Sequence, residues 1–557
     1  MTAAGVGHNV SSPGLQFGTD DPTTGDAKDE RLADAVFKDF QNYVIGSVTV
    51  EEYDVVVTSP DPVRPNELEI LHYNGSRLQH FVFENNTPSN HSSRQAGEGD
   101  ARSNRKDSAW KDREFPHVAF SPSGVAEGNL VYAHYGRQTD FVVLQALGVD
   151  LRDSVVVMRM GRLTVAEKIR NCESHGVKAA LLYWQDNDVT FDLPEGLNSS
   201  SFVPYASAAG HSIDTTRVWQ PAIPCQTISA DQASELFTLT FGLSPLNSSD
   251  LVLAPVQWQG SPQIPFVVGL RRENSTENDY TPKLRLSVYN IPRKKRIRNV
   301  INTIQGAQAP DHYVLVGSPR TSLPGQPQDT VVSTAILVQL ARAFKHVHQL
   351  HSWLPRRGVK LVSWGGAELS SLGMLELIRK QHHLLGSRMV AYFDLKHLVA
   401  GNETILANIP ASLNQLFNEV AFGVPNPSNG EQSLQMTWKN SIAATKRLPL
   451  GSSRGDSTYN PFMHILGIPT VHLQYAGPGG SISPPSLSTR LEQHHHFKFH
   501  LAVTRMLTLA MLTILDSRLL PFDLTDAAQS LHDTVWQTSQ GLMECSQNVH
   551  RLGKDSE

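Results

Sequence analysis

The chain has 557 residues, room for about three domains with sizeable cores, and its 48 basic and 53 acidic residues leave a net charge of −5. With 18% charged and 40% apolar residues, the composition excludes a disordered chain and a global affinity for nucleic acid. Three scattered cysteines, Cys172, Cys225 and Cys545, exclude a disulfide framework and a zinc ribbon of the CxxC type.

The first thirty residues are rich in Gly, Ser, Thr, Pro and Asp and lack the cationic and apolar regions of a signal peptide, so residues 1–30 are expected to be a flexible tail. A helical pattern follows in RLADAVFKDFQNYV, with Leu32, Val36, Phe37 and Phe40 on one side, and then an alternating strand over Val48–Val57. Residues 85–114 are polar and almost without aliphatic side chains, which marks a surface loop or boundary. The segment 31–114 is therefore expected to hold the first part of one unit, and a new one is expected from residue 115 to 292. Within it LVYAHYG, SVVVMRMG and KAALLYW read as short strands, and VAEKIRNCESHG reads as a helix closed by a Gly cap.

The basic run Arg293, Lys294, Lys295, Arg296 and Arg298 is expected to be a solvated hairpin or linker rather than a nucleic-acid surface. From residue 300 the pattern is strand (313–317), helix (333–344), strand (359–364), helix (369–384), strand (389–395), helix and strand (470–475). That alternation predicts a parallel or mixed sheet with helices on both faces, and places chemistry at the carboxyl ends of its strands. The stretch Leu501–Leu515 is interrupted by Arg505 and predicts a buried helix, so no segment is expected to span a membrane.

Those strand ends carry a resemblance. The blocks FSPSGVAEGNLVYAHYG, SVVVMRMGRLTVAEKIRNCESHGVKAALLY, IPCQTISADQA, PDHYVLVGS, PRRGVKLVSWGGAE, GDSTYNPFMHILGIPTVHLQY and SRLLPFDL are similar to the glutamate carboxypeptidase II and transferrin receptor family. The resemblance implies an α/β fold: a di-zinc exopeptidase-like mixed sheet over 293–522, a protease-associated α/β domain inserted at 115–292, and a short helical remnant at 523–557. Active members hold two zinc ions about 3.5–4 Å apart with His, Asp and Glu ligands, and a Glu deprotonates the bridging water. In register with that set, this chain has Pro319 at the first His and Asp329 at the bridging carboxylate. It has Ala367 at the general base, Glu368 at the second acid, Lys396 at the third-strand Asp and Leu487 at the late His. Proline and alanine offer no ligand, and an ammonium repels a cation.

The family's separate calcium site is eroded in the same way, with Glu376 kept and Arg379 where a second acid is expected. The resemblance thus implies a vestigial site with no catalytic or cofactor-binding residue and no resident metal, and points to the inactive branches, especially the N-acetylated alpha-linked acidic dipeptidase-like proteins. The expectation is a non-enzymatic ectodomain working as a receptor or scaffold for an unnamed protein partner. The alternatives are a residual zinc-dependent acidic dipeptidase or carboxypeptidase using Asp329, Glu368, Asp394 and a nearby His, and ligand capture in the manner of transferrin receptors.

Eight N-x-[ST] sequons, at Asn9, Asn74, Asn85, Asn90, Asn198, Asn247, Asn274 and Asn402, suit a glycosylated cell-surface ectodomain. Its membrane contact would run through an anchor absent from this chain, and dimerisation through a helical domain shortened here to one helix with apolar Leu531, Val535, Leu542 and Met543. His494, His495, His496 and His500 are expected to form an exposed helix start, His382 and His383 to lie on the surface, and the tripeptide Arg454-Gly455-Asp456 to be fortuitous.

Overall fold

In the computed structural model, the described residues are 26–72, 74–83, 115–184, 215–242, 282–322, 328–369, 371–436, 461–476 and 497–554, with short pieces between 203 and 270. The first helix, α1, runs over Ala27–Asn42 and is capped by the Asp26 carboxylate, which accepts from the N–H groups of Lys28 and Asp29. It begins inside the stretch assigned to a tail, because Val36 and Phe40 bury on its inner face and Asp29 is buried as well.

A seven-stranded mixed sheet organises most of the chain. Its strands are β1 (Ser47–Pro60), β2 (Asn290–Ile304), β3 (Ala309–Pro319), β4 (Arg357–Trp364), β5 (Met389–Asp394), β6 (Thr404–Asn408) and β7 (Thr470–Ala476). They lie in the order β1-β2-β4-β3-β5-β7-β6, and the four central strands β4, β3, β5 and β7 are mutually parallel. Side chains alternate across it, as a pleated strand requires. Val314, Val316, Val359, Leu361, Ala391 and Phe393 face one layer of helices, comprising α1, α2 (Gln328–His351) and α4 (Lys498–Asp516). Tyr313, Leu315, Val362, Trp364 and Tyr392 face the other, where α3 (Leu372–Arg388) packs. The expected sandwich of helices on both faces is therefore present.

The basic run lies in β2, opposite acids on β1. Lys294 meets Asp54 at 2.8 Å, and Arg298 meets Glu52 at 3.3 Å and Asp34 of α1 at 2.8 Å. Opposite charges on paired strands stabilise the ladder, so Lys294 and Arg298 serve the pairing of β1 with β2, and the run is part of a long strand rather than the expected hairpin or linker. Helix α4 is apolar and long enough to cross a membrane by composition, yet its inner side, including Val503, Met506, Met511 and Ile514, is buried in the core.

Between β1 and β2 lies a second α/β unit. Its parallel strands Leu130–Tyr132, Val155–Arg159, Ala179–Tyr183 and Cys225–Thr227 hydrogen-bond in that order, and the Val165–Ser174 helix is closed at its start by a Thr164–Glu167 capping box. The hairpin Glu67–Val82 differs from expectation. Leu68, Ile70, Phe81 and Phe83 share this unit's core rather than that of the large sheet, because Glu67–Leu71 pairs with Lys283–Val288. A ladder closed across some two hundred residues leaves no local signal at either strand.

This unit buries an ionisable cluster. His134, at a left-handed φ of 49°, stacks on Trp258 at 5.2 Å and lies 3.7 Å from Asp140, which also pairs with Arg137 at 2.8 Å. Burial pushes the His134 pKa below its ordinary value, against the opposing pull of Asp140 and with added repulsion from Arg159 and Arg137. Burial alone would raise Asp140, but its hydrogen bonds from His134 and Arg137 prevail and lower it. For both groups the unfolded chain binds the proton first, so stability is lost as pH falls, starting for His134 below about 6.5. His134→Phe is expected to flatten the stability curve on the acid side of that value and to reduce, without abolishing, the loss due to Asp140 below about 4, since Asp140 loses its bond from His134 but keeps those from Arg137; urea unfolding midpoints across pH check this.

Candidate site at the strand ends

The register of the parallel strands sets the candidate site. Pro319 at the end of β3 stands beside Trp364 at the end of β4, Gly317 stands beside Asp394 at the end of β5, and Asp394 stands beside His472 of β7. The carboxyl ends of β3, β4 and β5 thus form one edge, the place where such sheets bind ligands, and β7 passes it with His472, its third residue, beside Asp394. Pro319 is buried as the last strand residue, where its missing N–H costs no central ladder bond.

Beyond β4 the chain turns through Gly365 and Gly366. Gly366 has φ +67°, and a Cβ there would stand 2.8 Å from the Ile297 side chain, so both conformation and space require glycine. The turn presents Ala367 and Glu368, both half-buried, and the Ala367 N–H donates to the Thr321 hydroxyl at 3.1 Å.

Beyond β5, the Lys396 N–H donates to the Asp394 carboxylate at 3.0 Å, and the Lys396 carbonyl lies 2.6 Å from His472 Nε2. A carbonyl only accepts, so this contact assigns the proton to Nε2. Burial lowers the His472 pKa while Asp394 works in the opposite direction, which keeps the imidazole neutral near neutrality.

The strand register therefore brings Pro319, Ala367, Glu368 and Lys396 to one edge. Asp329 is the second residue of α2, its side chain lying outside the described residues, as does Leu487. Two residues that sequence reasoning passed over belong to the same edge. One is His472, a lone imidazole in the apolar strand TVHLQY. The other is Arg320, fully buried, which donates to Asp29 at 2.8 Å, to the Ser363 carbonyl and hydroxyl at 3.2 Å, and to the Arg298 carbonyl at 2.7 Å. The only sequence signal for Arg320 is a charge immediately after an apolar strand; its partner Asp29 is 291 residues away.

A zinc pair is not matched by the donors on view. Among the described residues no group of three or more His, Cys, Asp or Glu is arranged to hold a metal, and Pro319, Ala367 and Lys396 contribute none. Glu376, which the resemblance assigns to a second cation site, pairs with Arg379 at 2.7 Å. Elsewhere, His382 and His383 are exposed as expected, whereas His500 is buried and rests its ring 5.5 Å from Phe497. His494, His495, His496 and the Arg454-Gly455-Asp456 tripeptide lie outside the described residues. Leu531 and Val535 are exposed on the final helix, α5 (Leu524–Lys554), so this side of it does not cap the large sheet.

The fold and this edge define a mixed α/β protein with a candidate ligand site at the ends of its parallel strands. Comparison with known proteins makes the relationship specific. Aminopeptidase NAALADL1 of Rattus norvegicus is 26% identical over 563 residues, covering 93% of this chain and 72% of that protein. Transferrin receptor protein 2 of Homo sapiens is 28% identical over 391 residues, covering 64% of this chain and 44% of the receptor. Probable glutamate carboxypeptidase AMP1 of Arabidopsis thaliana is 25% identical over 437 residues, covering 75% of this chain and 58% of that protein. These homologues represent the glutamate carboxypeptidase II and transferrin receptor family, to which this chain is similar at about 25% identity. No protein-family model matches it. Among solved structures, an aminopeptidase from Aneurinibacillus sp. strain AM-1 aligns over 89% of this chain and 90% of its own, with a TM-score of 0.47 and 14% identity.

These relatives correct one expectation. The chain was expected not to be an enzyme, on the strength of Pro319, Ala367, Lys396 and Leu487; yet the relatives aligned over more than nine-tenths of it are named aminopeptidases. The physical reason is that four positions do not define a whole site: the side chain of Asp329 and the segment carrying Leu487 lie outside the described residues, and His472 adds an imidazole beside Asp394.

Proposed function

We propose that the chain is a peptidase-family protein displayed at the cell surface, where it recognises a peptide or protein ligand in the manner of a receptor or scaffold. The observation that supports this reading is the edge formed by the ends of β3, β4 and β5 with His472 of β7, the kind of edge at which such sheets bind ligands; the resemblance that assigns Pro319, Ala367 and Lys396 to zinc-ligand positions favours binding over cleavage there. The membrane-receptor relatives support the surface location.

A second reading is favoured by the aminopeptidase relatives, namely removal of residues from the end of a peptide. One experiment separates the two. Purified chain is incubated with a library of short peptides, and both retention and cleavage are followed by mass spectrometry. The first reading expects peptides retained intact, with retention weakened in Lys396→Glu. Cleavage that stops with a chelator and in Glu368→Ala would establish the second reading instead. Without a carboxylate at position 367, a general base's share of about 10²–10⁴ in rate is missing, so any such turnover is expected to be slow.

A further inference from the structure

Two of the eight sequons fall on described residues, and the turn at one of them has a particular geometry. Asn74-Gly75-Ser76 joins the strands Glu67–Leu71 and Arg77–Val82, and all three residues are exposed. The turn closes on itself: the Gly75 N–H donates to the His72 carbonyl at 2.8 Å, and the His72 N–H donates to the Ser76 carbonyl at 2.7 Å. Gly75 sits at φ +80°, a conformation that glycine adopts without penalty. Asn74 Oδ1 accepts from the Ser76 N–H at 2.9 Å and from the Ser76 hydroxyl at 2.6 Å. Every one of these bonds lies within five residues, so a nascent chain can form the turn before its distant partners exist. The other sequon differs, since the Glu403 N–H is bonded to Ala476 and Thr404 already pairs with Ala476 in the large sheet.

We propose that Asn74 is a site of N-linked glycosylation. The assignment rests on the surface location given under Proposed function, because the transfer takes place in the secretory lumen. The co-reactant is a lipid-diphosphate-linked oligosaccharide. Asn74 Nδ2 attacks its anomeric carbon, the new C–N bond forms as the bond from that carbon to the diphosphate oxygen breaks, and the lipid diphosphate leaves with the electron pair. The amide proton passes to a base of the transferring enzyme, and nothing is oxidised or reduced. As Nδ2 gives up its proton, negative charge spreads onto Oδ1, where the two donors from Ser76 stabilise it. The absence of proline between Asn74 and Ser76 satisfies the remaining requirement of the acceptor motif.

The test uses the full chain purified from cells that produce it. The chain is treated with a peptide N-glycosidase in heavy-oxygen water, and the peptide carrying position 74 is weighed. The expected result is conversion of Asn74 to a heavy-oxygen-labelled aspartate, with Asn74→Gln and Ser76→Ala each removing one glycan's step in gel mobility and Ser76→Thr retaining it. Recovery of that peptide with unmodified asparagine overturns the proposal. Protease protection in sealed microsomes tells the two failures apart. Unmodified Asn74 in a protected chain defeats this assignment alone, whereas unmodified Asn74 in an accessible chain defeats the surface reading with it.

Discussion

Replacing Arg320 by alanine is expected to cost the fold about 3–5 kcal/mol, because removal of one member of a buried ion pair strands the other. Both side chains are almost wholly excluded from water, Arg320 at 0% and Asp29 at 3% exposure. The guanidinium does more than neutralise Asp29. It also satisfies the carbonyls of Ser363 and Arg298, thereby pinning α1, β2 and β4 to the first residue beyond β3. Arg320→Lys should recover only part of the loss, since an ammonium cannot reproduce the planar fork that reaches three segments. Denaturant midpoints of Arg320→Ala, Asp29→Ala and the double variant check this. The account expects the double variant to be far less destabilised than the sum of the singles, and additive losses would show that the pair is not coupled.

Gly317→Ala is expected to destabilise by about 1–3 kcal/mol despite adding a single methyl group to a strand. A Cβ at this position would collide with the indole nitrogen of Trp364 and the hydroxyl of Tyr392. Neither neighbour is free to yield. The two are hydrogen-bonded to each other at 3.0 Å, both are buried, and Phe462 packs against them with ring centroids 6.0 and 4.9 Å away. Thermal unfolding of the variant checks the loss. An unchanged midpoint would mean that β3, β4 and β5 are not packed as described, two residues short of the candidate site.

The parts of this architecture that were legible in the sequence are those written in local pattern. YVLVG, VKLVSW, MVAYFDL and TVHLQY are apolar runs of strand length separated by helical periodicity, and each falls within or across one of the parallel strands β3, β4, β5 and β7. The carboxyl ends of YVLVG, VKLVSW and MVAYFDL therefore point to the candidate edge from sequence alone. Long-range pairing had no such trace. The fourteen-residue ladder of β1 with β2 and the hairpin that joins the smaller unit's core both close across more than two hundred residues. The same holds for the site, where Pro319, Ala367 and Lys396 could be read from flanking motifs, but Arg320 and His472 gained meaning only from partners that folding brings to them.

The most direct test of the central claim, that Pro319, Ala367 and Lys396 stand at the strand ends where a metal pair would need ligands, is the zinc content of the purified chain. After loosely bound ions are removed with a weak chelator, elemental analysis is expected to find less than stoichiometric zinc, unchanged by Glu368→Ala. A tightly held pair of zinc ions per chain, lost in Glu368→Ala, would contradict the account and show that residues outside those described complete the site.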